Sequence, residues 1–202
     1  MTTHKLRHIA SLLLAALIPF LCSCDSGSNV MAKRSIRGDY DVLLELEPHT
    51  KQKVHLMIIN SFTCSACSKF NSKIAKLTKI YGEKISVEYY DIIIDEQSED
   101  AALAHFLSRK NGTASKVREY LFKNSATSST PLDFGKIRDD FGVDVFSTEA
   151  EVRKIVTLRS KAALKIADRT PMIIIEGKIV VGGNYGEITS IVDQMLISTD
   201  NL

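Results

Sequence analysis

The sequence predicts an α/β fold in which a small sheet is interrupted by a helical insertion. Three observations predict it. An apolar run at residues 54–59 reads as a buried strand and leads to a Cys-X-X-Cys motif, Cys64-Ser65-Ala66-Cys67. From residue 98 to 168 the apolar positions recur at helical spacing. Strand texture returns at residues 172–181, where two apolar runs flank a Gly-Lys pair and read as a hairpin.

The chain opens with a leader. Residues 1–8 carry Lys5 and Arg7 and no acid, and residues 9–21 are a nearly continuous apolar run. That run is shorter than the about 20 residues a bilayer span needs. A basic start, a short apolar stretch and small residues behind it describe a secretory signal, assigned to residues 1–23. Pro19 and the polar stretch that follows argue against a buried first helix. Leu21-Cys22-Ser23-Cys24 resembles a bacterial lipobox with Cys24 as the acylated residue. Cys22 in its middle departs from that pattern, and ordinary cleavage nearby is the alternative. Residues 24–38 are then a lipid anchor and a Ser/Asn/Lys-rich tether. Either cleavage places the mature protein outside the cytoplasm, where disulfide chemistry operates.

Charge excludes one class of function. The 26 Lys and Arg exceed the 24 Asp and Glu by two, and the leader holds two of the basic residues. The mature chain is therefore close to neutral, shows no basic tract and is not expected to bind nucleic acid.

Along the mature chain, residues 39–46 are expected as a first edge strand ended by Pro48. A helix is expected over residues 65–81, because Cys67, Phe70, Ile74, Leu77 and Tyr81 fall three and four apart. Lys69, Lys73, Lys76 and Lys79 occupy its other faces, and Gly82 supplies the stop. Residues 85–94, rich in β-branched and aromatic side chains, read as a second central strand. In the helical block, Ser98 with Glu99 and Asp100 starts a helix carrying Leu103, Phe106 and Leu107. Val117, Tyr120 and Leu121 mark a second helix, and residues 132–141 a third. Thr148-Glu149-Ala150-Glu151 reads as a capping box for a longer helix with Val152, Ile155, Ala162 and Ile166 on its apolar side. The hairpin strands, 172–176 and 179–181, meet through the two-residue turn Gly177-Lys178. A last helix starts near Gly186 and buries Ile188, Ile191, Val192, Met195 and Leu196. Residues 39–94 and 169–202 are thus expected to form the α/β core, with 95–168 as the inserted helical domain.

The chemistry lies in the cysteine pair. A Cys-X-X-Cys at a strand-to-helix turn sets its first sulfur at a helix N-terminus, where unpaired N–H groups and the helix dipole favour a thiolate. The second cysteine, one turn on, can close a reversible disulfide. A zinc half-site and plain core cysteines are the competing readings. A structural zinc site needs four ligands, usually as two such pairs. The other cysteines, Cys22 and Cys24, lie at the end of the leader, and His55 and His105 are isolated. The reading adopted is a redox-active Cys64–Cys67 disulfide, supported by Thr63, Ser65 and Ala66, with no metal and no dissociable cofactor. Ser65 either offers its hydroxyl to the pair or simply starts the helix.

With Thr170-Pro171 before the hairpin and Gly182-Gly183 behind it, the arrangement resembles the thioredoxin-fold thiol–disulfide oxidoreductases of the DsbA type. In that family a helical domain interrupts a thioredoxin core. The resemblance spans residues 39–197 and implies a cis peptide bond at Pro171, packed against the Cys64–Cys67 disulfide. It assigns Thr170 and Pro171 to substrate binding, their backbone offering a strand edge to an incoming peptide. It also implies cysteine-containing exported proteins as substrates, a periplasmic location and a membrane redox partner that reoxidises the pair.

Two positions depart from the family pattern. Many relatives hold a buried acid six residues before the first cysteine, where this chain has Ile58. The intervening dipeptide is Ser-Ala rather than Pro-His, which leaves the helix terminus to stabilise the thiolate and predicts a less oxidising couple. The expected activity is disulfide donation by a lipid-tethered monomer. A disulfide isomerase or reductase kept reduced is the alternative, because Thr before this proline occurs among isomerase relatives. Against it, the stretch between Cys24 and the first strand is too short for their dimerisation domain. A lipid-tethered binding module with a structural disulfide is the non-enzymatic alternative.

Overall fold

The computed structural model describes residues 41–42, 53–125 and 131–199. The leader, Cys22, Cys24, the tether and all but Asp41 and Val42 of the expected edge strand lie outside the described residues. Five strands, β1 (Asp41–Val42), β2 (Val54–Asn60), β3 (Ile85–Asp91), β4 (Met172–Ile175) and β5 (Ile179–Gly182), form one sheet in the order β1-β5-β4-β2-β3. β2 and β3 are parallel and every other neighbouring pair is antiparallel. A parallel pair needs a crossover, and helix α1 (Ser65–Tyr81) provides it. Four helices separate β3 from β4: α2 (Glu96–Ser108), α3 (Ala114–Ser125), α4 (Phe134–Phe141) and α5 (Ala150–Leu164). Helix α6 (Tyr185–Thr199) follows β5.

The strand pleat sorts side chains between two faces. Val54, Leu56 and Ile58 of β2, Ile173 and Ile175 of β4, and Ile179 and Val181 of β5 point to one face. There they meet Phe70, Ile74 and Leu77 of α1 and the stripe Ile188, Ile191, Val192, Met195 and Leu196 of α6. Ile59, Met172, Ile174 and Val180 point the other way and pack with Ala163 of α5. A third cluster lies within the helical block and reaches the cysteine turn through Phe62 and Cys67.

Several boundaries differ from the sequence expectation, each for a local reason. Helix α2 is capped by Asp95 rather than started at Ser98. The Asp95 carboxylate accepts from the Ser98 N–H at 2.7 Å, and the Ser98 hydroxyl oxygen accepts from the Asp95 N–H at 2.9 Å. The capping box expected at residues 148–151 does not form. Thr148 donates its hydroxyl to the Asp144 carbonyl at 2.9 Å, and Glu149 caps α5 without a side-chain bond. Ile155 and Ile166, expected on the buried stripe of α5, are 41 % and 46 % exposed, whereas Val156, Ser160 and Ala163 are buried. The stripe was hidden because one of its members is polar: the Ser160 hydroxyl accepts from the Ile93 N–H at 2.8 Å, just past β3. That strand stops at Asp91, and Ile94 is exposed. The hairpin turns on Glu176 and Gly177, one residue earlier than expected, with φ of 52° and 70°. Two successive positive φ values suit the mirror-image turn that antiparallel strands favour, and Lys178 donates to the Ile175 carbonyl at 3.0 Å.

Leu77 is fully buried in the core between α1, α6 and the sheet. Leu77→Ala is expected to lower the free energy of unfolding by about 2–5 kcal/mol, read from urea titration. The alkylation rate of Cys64, three turns away, should not change.

Candidate active site

The strand β2 delivers the chain to its C-terminal end, where Ser61, Phe62 and Thr63 form the turn into α1. Cys64 is the N-cap of that helix, in extended conformation at φ −87° and ψ 115°. Its sulfur takes the place a serine hydroxyl usually fills and accepts from the Cys67 N–H at 3.2 Å. Cys64 is partly exposed, while Cys67 is 2 % exposed, and both are free thiols. Phe62 and Cys67 anchor the turn in the helical block.

Thr63 braces the turn without touching a sulfur: its hydroxyl is 2.9 Å from that of Ser61, and its N–H donates to the same oxygen at 3.3 Å. Ser65 and Ala66 stand exposed on the first turn of α1. Thr170, 106 residues beyond Cys64, is brought to the sulfur, and the Cys64 thiol donates to its carbonyl at 3.6 Å. The Thr170–Pro171 bond is cis. Gly183, past the end of β5, has no room for a side chain, since a Cβ there would sit 2.9 Å from Pro171 Cγ. Thus Cys64, Cys67, Thr170 and Pro171 come together, with Gly183 backing the proline ring. Cys24 lies outside the described residues.

The two thiols are driven apart in acidity. Burial alone raises the Cys64 thiol, but hydrogen bonds from the side chains of Cys67 and Thr170 and from the backbone N–H groups of Cys67 and Ala66 outweigh it and hold it below the ordinary cysteine value. Burial pushes the Cys67 thiol up to about 12, reinforced by its hydrogen bond and charge repulsion with Cys64. One sulfur is therefore a ready nucleophile and leaving group, and the other a sheltered partner.

Behind the pair lies a polar network that the sequence reading missed. Asn60 and Asp91 end β2 and β3 in register. Asn60 donates to Asp91 Oδ1 at 2.9 Å, and His105 Nδ1 lies 2.7 Å from Asp91 Oδ2. Arg118 of α3 donates to Asn60 Oδ1 at 2.9 Å and to Asn71 Oδ1 at 2.7 Å. All four residues apart from the half-buried Asn71 are buried. His105 is therefore not isolated as its lone place in the sequence suggested. The available signal was a pair of polar residues, Asn60 and Asp91, closing β2 and β3. Ile58, at the position of the family's buried acid, is wholly buried among aliphatic side chains.

Asp91 and His105 fix each other's protonation state across their 2.7 Å contact. Burial alone would raise the Asp91 carboxyl, but His105 and Arg118 hold it below its usual value, so it is ionised. Burial lowers the His105 pKa despite the neighbouring carboxylate, so the ring is neutral at pH 7 and donates through Nδ1.

Residues 49–194 match the profile of the family described as thioredoxin, and the chain belongs to that family. Its fold is DsbA-like. It superposes on the oxidoreductase DsbA from Xylella fastidiosa with a TM-score of 0.59 at 19% identity, covering 81% of this chain and 95% of that one. The thiol–disulfide exchange protein alpha-DsbA2 from Wolbachia pipientis gives 0.61 at 16% identity over 73% and 84% of the two chains. ScsC from Proteus mirabilis gives 0.57 at 20% identity over 73% and 70%. No curated protein matches the chain in sequence.

Two outcomes follow from the titrations. Iodoacetamide should modify Cys64 with a pH–rate inflection below the reference value of 9.0, while Cys67 stays unmodified at neutral pH; mass mapping of the labelled peptide reads both. Separately, the unfolded chain binds a proton at residue 105 more readily than the folded one. The buried neutral imidazole therefore makes stability fall as pH drops below about 6.5, by up to about 1.4 kcal/mol per pH unit. The contribution of Asp91 is present above the unfolded value of 3.8 and is lost only as pH falls through its lower folded value. Urea titrations between about pH 7 and 5 should show the first slope, and His105→Gln should flatten it.

Proposed function

We propose that the protein is an exported thiol–disulfide oxidoreductase that donates disulfides to cysteine-containing exported proteins. The observation that carries this reading is the division of labour at the start of α1: an accessible N-cap sulfur of lowered pKa beside a buried sulfur of raised pKa. In the oxidised enzyme a substrate thiolate attacks Cys64 Sγ, a substrate–Cys64 bond forms and the Cys64–Cys67 bond breaks. Cys67 departs as a thiolate. A second substrate thiolate then attacks the substrate sulfur of the mixed disulfide, and Cys64 leaves as the better thiolate. Two substrate thiols are oxidised and one enzyme disulfide is reduced. Thr170 lies where an incoming peptide would pair with its backbone, beside the attacked sulfur.

The rest of the reading comes from the sequence. The leader directs export to the periplasm, Cys24 carries the lipid that tethers the chain, and a membrane redox partner restores the disulfide. The protein works as a monomer. Labelling with radioactive palmitate should mark the wild-type chain and not Cys24→Ser.

The direction of the reaction is tested by the midpoint potential of the Cys64–Cys67 couple against glutathione, together with oxidation of a reduced, unfolded two-cysteine substrate. A donor should lie well above the about −270 mV of a reducing thioredoxin and below the about −120 mV of the most oxidising relatives. It should lose all activity in Cys64→Ser. A value near −270 mV would assign a reductase instead, and one below about −300 mV would make the bond structural.

A further inference from the structure

Cys67 must become a thiolate twice in each cycle, once when it is expelled and once when it closes the ring, yet it is 2 % exposed. A buried anion needs a nearby compensating charge. Ile58, six residues before Cys64 where many relatives hold an acid, is aliphatic and supplies none. Arg118 is the candidate. It is 4 % exposed, lies on α3 of the helical block, and is tied to Asn71, one turn beyond Cys67 on α1. Its guanidinium lies 3.8 Å from the centre of the Tyr89 ring, 4.8 Å from that of Phe122 and 5.8 Å from that of Phe62. Phe62 and Phe122 pack in the same cluster as Cys67.

The charge of Arg118 is only partly met by Asp91. The two Asp91 oxygens are taken by Asn60 and His105, and the nearest approach of Arg118 Nη1 is 3.7 Å. No described group accepts a hydrogen bond from Nη1, although it is buried. A fork-to-fork pair would have neutralised it. The other charged or titratable groups around it are His105, neutral, Arg109, the C-cap of α2, and Tyr89 of β3. A negative Cys67 in turn favours the charged guanidinium.

We propose that Arg118 is the fixed positive charge that stabilises the Cys67 thiolate and so sets the rate at which mixed disulfides at Cys64 open and close. It is a positioning residue that acts through Cys67. The proposal rests on thiol–disulfide exchange at Cys64 and not on its direction. In ring closure the Cys67 thiolate attacks Cys64 Sγ, the Cys64–Cys67 bond forms, the bond to the bound thiol breaks, and the departing thiolate regains from solvent the proton Cys67 gave up.

The test uses the full chain carrying a glutathione mixed disulfide at Cys64, with release of glutathione followed by stopped flow. Arg118→Met alone leaves Asp91 buried without its cation, so the informative variant is Arg118→Met with Asp91→Asn, which removes both charges. A rise of one pKa unit at Cys67 cuts its thiolate about tenfold and, after the gain in nucleophilicity, slows closure about threefold. Closure in the double variant should therefore slow about threefold or more, while iodoacetamide alkylation of Cys64 in the reduced protein stays within about twofold. Arg118→Lys, which keeps the charge, should close faster than the double variant. Unchanged closure, an equal fall in closure and alkylation, or Arg118→Lys as slow as the double variant would each overturn the proposal. None of these readings depends on whether the enzyme donates or removes disulfides in the cell.

Discussion

The first turn of α1 belongs to two cores at once, and the rest of the molecule is arranged around that constraint. Its apolar stripe begins with Cys67, which packs into the helical block, and continues with Phe70, Ile74 and Leu77, which pack against the sheet. A single helix therefore cannot rotate or slide without opening one core or the other. Close packing makes both positions unforgiving, and the sulfur of Cys64, fixed at the N-cap, inherits that rigidity. The hydrogen bonds that lower its pKa are short-range and directional, so they hold only if the turn is held.

Arg118 reinforces the same joint with polar bonds. It links α3 to the end of β2 through Asn60 and to α1 through Asn71. A buried ion pair of this kind is weak evidence for stability, because desolvation of both charges offsets most of the attraction. Its presence in a chain with ample aliphatic residues points to the chemistry it faces.

Most of the fold could be read from the chain because its signals are local and periodic. The stripe of α1, the stripe of α6 and the apolar strand runs each carry their period in consecutive residues. Misplaced boundaries came where a polar side chain does structural work, as with the Asp95–Ser98 cap, the Ser160 bond to Ile93 and the Thr148 bond to Asp144. The cysteine pair and the Thr170-Pro171 dipeptide were legible as motifs. The Asn60–Asp91–His105–Arg118 network was not, because its four members come from separate elements and no spacing rule connects them. Gly183 was legible only as part of a glycine pair, and its reason for being glycine is the proline ring against it.

The distance along the chain between the parts of the site carries one more consequence. Cys64 and Cys67 are made early, whereas the Thr170 carbonyl that completes their surroundings comes 106 residues later. A chain emerging from its N-terminal end would expose two ordinary thiols, lacking the neighbours that set them apart, until the hairpin folds back between β1 and β2. The redox character of the pair is thus a property of the finished topology rather than of the motif. An incomplete or unfolded copy would behave as a client, with cysteines to be oxidised, before it could act on the cysteines of others.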